Sequence, residues 1–376
     1  MNGELHVVAF NVPWPADYGG VMDVYYRLRA LSEAGVGVHL HCFTYGRARA
    51  KELESLCVEV DYYRRDMSWW LQFGKRPFIV SSRDNAELRR RLQQDGLPLL
   101  LEGVHCCSLL EPGVLDARRQ IAVRAHNVEA EYYGRLAASE RQLPKRIYLS
   151  LESWKLRRYE DILRRAAAVF TVSDADREHF EAAGCRQVST VVCGHPNRGV
   201  GMLPGRGDYA VFHGDLSVGD NERAAMELID GVFGGTEYRL VVAGHAPSAA
   251  LRRTADRQPN VTLVADPTDE EMERLVAEAQ VNILVTHQAT GLKVKLLNSL
   301  FKGRHCLVNS AMVAGTGLAE LCRVADTREE MRQAVRELME QAVGEELLAM
   351  RERRMRPYVT SNAIQPILNW LSKAEG

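Results

Sequence analysis

The 376-residue chain lacks a dominant charge: 48 Lys and Arg stand against 49 Asp and Glu, a net charge of −1. It therefore has no overall basic excess of the kind a nucleic-acid-binding protein uses, and no nucleic acid partner is expected. No uncharged apolar run approaches the roughly 20 residues that span a bilayer. The start, MNGELHVVAFNVPWP, lacks the basic head and longer apolar core of a secretory leader. These absences predict a cytoplasmic protein. The eight cysteines, at 42, 57, 106, 107, 185, 193, 306 and 322, form no Cys-x-x-Cys pair and no metal-type Cys/His spacing. Thiols buried in a reducing compartment are the expectation. There is no Gly-x-Gly-x-x-Gly, which argues against a dinucleotide-dependent oxidoreductase.

What the chain has is alternation. LHVVAF reads as a buried strand, followed by a glycine-containing loop and an amphipathic helix over about 21–33, stopped by Gly35. VGVHLHCF, LPLLLEG, IAVRAHN and AAVFTVS continue the strands. A long charged helical stretch is predicted over 129–167, and Ser173 or Asp174 can cap the helix after the last of these strands. Residues 193–209, CGHPNRGVGMLPGRGDY, have no periodicity and read as a linker. A second series follows: YAVFH, YRLVVAG, NVTLVAD, VNILV and RHCLVN, with Thr268 and Glu271 spaced as a capping box. Such alternation predicts parallel sheets covered by helices on both faces. The expected class is α/β, with two Rossmann-like domains facing a cleft. The first would span residues 1–195, completed by a C-terminal helix over 358–376, and the second residues 196–357. Arg351, Arg353, Arg354 and Arg356 read as a solvated helix face.

The segment HQATGLKVKLLNSLFKGRHCLVN, residues 287–309, carries two lysines where a helix is least suited to them. A helix predicted over 292–301 puts Lys293 and Lys295 in its first turns, beside partial positive charge and unpaired N–H groups. At about 100° per residue, Leu296, Leu297, Leu300 and Phe301 share one face, with Lys293 in line with it. Lys295 and Asn298 fall on the other side. Lys293 would then point along the edge of the sheet, where open α/β folds bind ligands. A phosphate fits: Lys293 supplies charge, and the amides of Thr290, Gly291 and Leu292 supply donors. An ordinary solvated lysine pair capped by Thr290 is the alternative.

In order and spacing, these pieces resemble the family-4-type glycosyltransferases of the GT-B fold. PWPADYGGVMDVYYRLRALSEAGVGVHLHCF is similar to the family's Gly-Gly loop and first helix, RAHNVEAEYY to its central histidine segment, and FTVSDADREHF to the strand–helix step that follows. The family's second-domain motif runs from Glu-Gly-Phe-Gly into a helix carrying another Glu. Here Thr290-Gly291 and Asn298 occupy those places. The diphosphate-binding Arg and Lys of the family are also replaced, in HGDLSVGDN, by Asp215 and Asp220. The resemblance implies transfer of a hexose from a GDP- or UDP-linked sugar, with retention and no essential metal or other cofactor. The first domain would take the acceptor, a glycan, a lipid or a lipid-linked sugar, and the second the nucleotide-sugar donor. An inactive nucleotide-sugar-binding partner protein and a nucleotide-sugar epimerase of the same fold remain alternatives.

On this reading Lys293 and His126 are the catalytic candidates. Donor contacts fall to Gly19, Gly20, Gly214, His245, Asp266, Thr290, Gly291, Leu292, Lys295 and Asn298, and sugar or acceptor contacts to Asp17, Asn127 and Glu129. Glycines at 19 and 20 let the backbone approach a ligand, or simply make a turn. Glu129 either orients His126 or occupies a helix first turn, where acids are favoured. Trp69, Trp70 and Phe73 beside Lys75 and Arg76 suit a peripheral contact with the inner face of a membrane. Packing beneath a loop is the alternative.

Overall fold

Residues 3–286 and 294–374 of the computed structural model are described, and they contain thirteen strands in two wholly parallel sheets. The chain divides into two compact units, Met1–Pro196 with Thr360–Gly376, and Asn197–Val359.

In the first unit the strands are β1 (Glu4–Ala9), β2 (Gly37–Thr44), β3 (Glu59–Arg64), β4 (Leu99–Glu102), β5 (Ile121–Ala125), β6 (Ala168–Thr171) and β7 (Val188–Thr190), in the order β3-β2-β1-β4-β5-β6-β7. The central strands are buried on both faces, which is why they read as continuous apolar runs rather than alternating ones. The edge strand β3 is the polar stretch EVDYYR, and β7 has only three residues. Neither carries an apolar signal, and neither was anticipated. The chain runs one way from β1 to β3 and the other way from β4 to β7, so the sheet reverses between β1 and β4.

The helix Gln365–Ala374 belongs to this unit. Ile367, Trp370 and Leu371 join Val24, Leu28 and Leu31 in one core. The Thr360 hydroxyl bridges His195, accepting from its N–H at 3.0 Å and donating to its carbonyl at 3.0 Å. The predicted linker therefore begins inside the core, with Cys193 and His195 buried. The stretch predicted as one helix over 129–167 is two, Glu129–Ser139 and Leu143–Tyr159, with a 3-10 turn at Glu160–Arg165. Pro144 lies in the first turn of the second helix, where its missing N–H costs nothing; in the interior of one long helix it would break the ladder.

The second unit holds β8 (Tyr209–Asp215), β9 (Arg239–His245), β10 (Val261–Ala265), β11 (Val281–Leu284), β12 (His305–Val308) and β13 (Arg323–Val324), in the order β10-β9-β8-β11-β12-β13. Its reversal falls between β8 and β11. Capping follows local chemistry: Ser173 accepts from the Asp176 N–H, and Thr268 from the Glu271 N–H, each at 3.1 Å. The reciprocal capping box belongs instead to Thr327 and Glu330. Arg351 corrects one expectation. It is 1% exposed, not solvated, and donates to the Gly303 carbonyl at 2.7 Å. All eight cysteines are free thiols. No described helix is long and apolar enough to cross a membrane.

Candidate functional site

In open parallel sheets the crevice for a ligand opens where the strand order reverses, beyond the strands' carboxyl ends. In the second unit that point is the end of β8 beside the end of β11. Lys295, in the first turn of the helix Val294–Lys302, places its ammonium there. Its Nζ donates to Asn221 Oδ1 at 3.1 Å. A Cβ added at Gly214 would meet the same Nζ at 3.3 Å, so the lysine lies against the backbone that closes β8. The helical wheel had put Lys295 away from this edge. Cα–Cβ bonds tilt toward the helix N-terminus, and a four-carbon stem in the first turn can sweep over the preceding loop.

Burial holds the Lys295 ammonium below its ordinary value, partly offset by Asp220. Among the described residues no carboxylate lies within ion-pair distance of it. Beneath it, His213 is pushed down to about 3 by burial and by Lys295, so its ring is neutral. The Thr286 hydroxyl donates to Asp220 Oδ2 at 3.3 Å, and Asn309 Nδ2 to the Thr286 carbonyl at 2.7 Å. These bonds tie the ends of β11 and β12 to the helix Gly219–Glu227. A half-buried ammonium whose nearest contacts are neutral is suited to an anionic oxygen.

The other second-unit candidates are placed as follows. His245 and Asp266 end neighbouring strands and pair with each other at 2.8 Å, both exposed. Asp266 has φ 51° and accepts the Ala246 N–H at 2.8 Å. Asn298 Oδ1 accepts from Asn197 Nδ2 at 2.7 Å. Thr290, Gly291, Leu292 and Lys293 lie outside the described residues.

In the first unit, His126 follows β5 and is 5% exposed. Its Nε2 sits 2.9 Å from Glu102 Oε2, and its Nδ1 3.4 Å from Asp23 Oδ2. These belong to a buried charge network. Asp23 accepts from Arg27 at 2.8 Å, Arg124 Nε at 3.0 Å and the Gly194 N–H at 2.6 Å. Arg27 also reaches Glu102 at 2.5 Å, and Arg124 donates to the carbonyls of Thr171 and Val191. Burial raises the Asp23 carboxyl, but Arg124 and Arg27 outweigh it and hold the group well below the usual carboxylate range. Glu102 is likewise held down by Arg27 against its burial. Ligating atoms of Asp23, Glu102 and His126 lie within 4.8 Å of one another, a spacing open to a metal. The two carboxylates already face two guanidiniums, so the cluster is charge-balanced and poorly suited to a further cation. Only His126 of this network was singled out from the sequence. The available signals were an arginine inside the apolar strand IAVRA and a glutamate ending LLLE.

Glu129, at the start of its helix, is buried, and burial raises its carboxyl to about 7. Asn127 Nδ2 approaches its Oε1 at 3.4 Å. Gly19 and Gly20 open the helix Gly19–Glu33; a Cβ at Gly20 would press on the Phe10 ring at 3.2 Å. Asp17 is exposed and pairs with Arg47. Trp69 and Phe73 are 66% and 79% exposed, whereas Arg76 is taken up by Asp84 and Glu111.

No protein-family model matches the chain. It is 25% identical over 338 residues to an uncharacterized 44.6 kDa protein in the cps region of Klebsiella pneumoniae, covering 84% of each chain. Among solved structures it is similar to Anabaena Alr3699/HepE in complex with UDP and glucose, with a TM-score of 0.64, 12% identity, and coverage of 99% of this chain and 100% of that one. It is also similar to a UDP-glucosyltransferase from Polygonum tinctorium, with a TM-score of 0.58, 11% identity and 99% coverage of both. With its two parallel sheets and their strand orders, the chain has the α/β fold of the GT-B glycosyltransferases.

Proposed function

We propose that the protein is a glycosyltransferase that moves a hexose from a GDP- or UDP-linked sugar to a glycan, lipid or lipid-linked acceptor, with retention and without an essential metal. The observation that carries this reading is Lys295 at the β8/β11 reversal, half-buried and in contact only with neutral groups among the described residues. Its ammonium would stabilise the departing diphosphate, which is where transition-state charge develops. For His126, its ring held by Glu102 at 2.9 Å, the proposed role is contact with a sugar. UDP and glucose in the Anabaena neighbour support a nucleotide-sugar donor.

We also propose a peripheral membrane contact through the first unit. The helix Leu143–Tyr159 leaves Leu143, Ile147, Leu151 and Trp154 exposed on one face, at helical spacing. Lys155 Nζ ties this helix to the Gln72 carbonyl, within the 3-10 turn that carries the exposed Trp69, Trp70 and Phe73. Arg146, Arg157 and Arg158 fall on or beside the stripe at helical spacing, and Arg158 stacks on Trp154 at 3.9 Å. Apolar side chains rimmed by cations suit an anionic lipid surface.

The test is thermal stability of the wild type and Lys295→Met with UDP, GDP, ADP, CMP and their sugars, followed by donor turnover. A ligand at ~100 times its dissociation constant adds about 2.7 kcal/mol. Stabilisation of the wild type by one nucleoside diphosphate, weakened at least tenfold in the folded variant, supports the reading. No response to any nucleotide overturns it. Binding without turnover or transfer would make the protein a nucleotide-sugar binder, and conversion of the donor without acceptor an epimerase.

A further inference from the structure

At the carboxyl ends of the first sheet lie two arginines that the charge network does not use: Arg83, bonded to the end of β1 at the reversal, and Arg65, which follows the edge strand β3. Arg83 is 6% exposed. Its Nε donates to the carbonyl of Phe10, the residue that follows β1, at 2.8 Å, and its Nη1 to the Ile79 carbonyl at 2.7 Å. Arg65 donates through Nε to Ser82 Oγ at 3.0 Å and lies over the rings of Tyr45 and Phe78. Among the described residues neither guanidinium is within ion-pair distance of a carboxylate, and Arg83 Nη2 has no partner. Burial, and then the like charge of Arg65, pull Arg83 down to about 10. Arg83 acts on the Glu129 carboxyl, which burial holds up near 7 and so leaves only partly charged.

A buried cation close to a second, part-buried one is more stable when an anion joins them, because pairing offsets both desolvation and like-charge repulsion. Elsewhere in this unit the chain does pair its buried arginines: Arg27 and Arg124 each meet a carboxylate. The location is specific as well. Phe10 and Gly103 stand at the carboxyl ends of the two strands that flank the reversal, and His105 stacks on Phe10 at 5.1 Å. Guanidiniums bind phosphate through parallel N–H donors.

We propose that Arg65 and Arg83 form a binding site for a phosphate group carried by the acceptor. This rests on the reading of the protein as a glycosyltransferase whose first unit takes the acceptor. The phosphate comes either from a soluble sugar phosphate or from the diphosphate of a lipid-linked sugar.

The experiment is calorimetric titration of the full-length protein with inorganic phosphate, a hexose 6-phosphate, the unphosphorylated hexose, the corresponding hexuronate and geranyl diphosphate. The nucleoside diphosphate is titrated separately. Variants are Arg83→Met and the more exposed Arg65→Met, which is the less disruptive should Arg83→Met fail to fold. Expected is binding of inorganic phosphate and of one phosphorylated probe, at least tenfold weaker in Arg65→Met, with nucleotide affinity unchanged. Preference for the hexose 6-phosphate identifies a soluble acceptor, and preference for geranyl diphosphate a lipid-linked one. Wild type that binds no phosphorylated probe at 10-millimolar order, or binds the hexuronate as well as the phosphate, overturns the proposal. So does a variant that binds phosphate like wild type, or one that loses phosphate and nucleotide together. Phosphate binding that depends on these arginines in a protein with no nucleotide affinity would retain the anion site and remove the transferase reading.

Discussion

Replacing Asp23 by Asn tests whether the buried network is the keystone of the first unit. Asp23 receives Arg27, both Nε and Nη2 of Arg124, and the Gly194 N–H, which closes the end of the chain segment leaving β7. Asparagine keeps an acceptor for Gly194 but removes the charge. Arg27 still has Glu102. Arg124 is left with carbonyls alone, fully buried. Breaking a buried pair from one side costs about 3–5 kcal/mol. All five tryptophans, at 14, 69, 70, 154 and 370, lie in the first unit, so their fluorescence during urea unfolding reports on it alone. With an m-value of roughly 3 kcal/mol per molar urea, the midpoint should fall by about 1–1.7 M. The sign with pH follows from the depressed carboxyl. Its stabilisation is complete above the ordinary aspartate value and is lost as pH falls toward the folded one, so the gap between wild type and variant should narrow only in strong acid. A midpoint shift below about 0.3 M, which is under ~1 kcal/mol, would refute the reasoning. If transfer activity were then lost with stability intact, the network would belong to the chemistry rather than the scaffold.

Glu129 gives the opposite pH dependence. Its carboxyl is raised from 4.5 to about 7 by burial, so folding holds the proton more tightly and stability declines as pH rises through that interval. Glu129→Gln should remove up to roughly 3 kcal/mol of this decline, read as a flatter profile of melting temperature between pH 5 and pH 8; an unchanged profile would sink the assignment. In the second unit, Gly303→Ala drives a Cβ into the Asn282 amide and to 2.9 Å from the Ser299 carbonyl. It should destabilise that unit by about 1–3 kcal/mol, seen as faster hydrogen exchange in β11 and β12 with the tryptophan transition unmoved. On the exposed stripe, Ile147→Ser with Trp154→Ser should change stability by no more than about 0.5 kcal/mol yet weaken binding to anionic vesicles at least ~10-fold. Equal sedimentation of both proteins with vesicles would remove the membrane proposal.

Periodicity and punctuation alone determined much of this protein. Strands such as LHVVA and VNIL are apolar because parallel strands are covered on both faces, and their spacing by helices is enough to announce two α/β series. Caps such as Ser173 and Thr268 are equally local, since the side chain and the amide it serves lie within one turn. The edge strands β3 and β7 were not legible, because a polar or three-residue strand becomes a strand only when a neighbour offers its ladder. Nor were the partners of charged residues. Arg351 looks solvated in a run of arginines, and only the fold brings the Gly303 carbonyl to it. Arg124 and Asp23 stand 101 residues apart, and nothing local says which carboxylate meets which guanidinium. The helical wheel orients Cα–Cβ bonds but not a lysine's four-carbon stem, so the reach of Lys295 to Asn221 was likewise settled by tertiary structure. What binds here is a question of which charges the fold leaves unpaired, and burial and distance decide that.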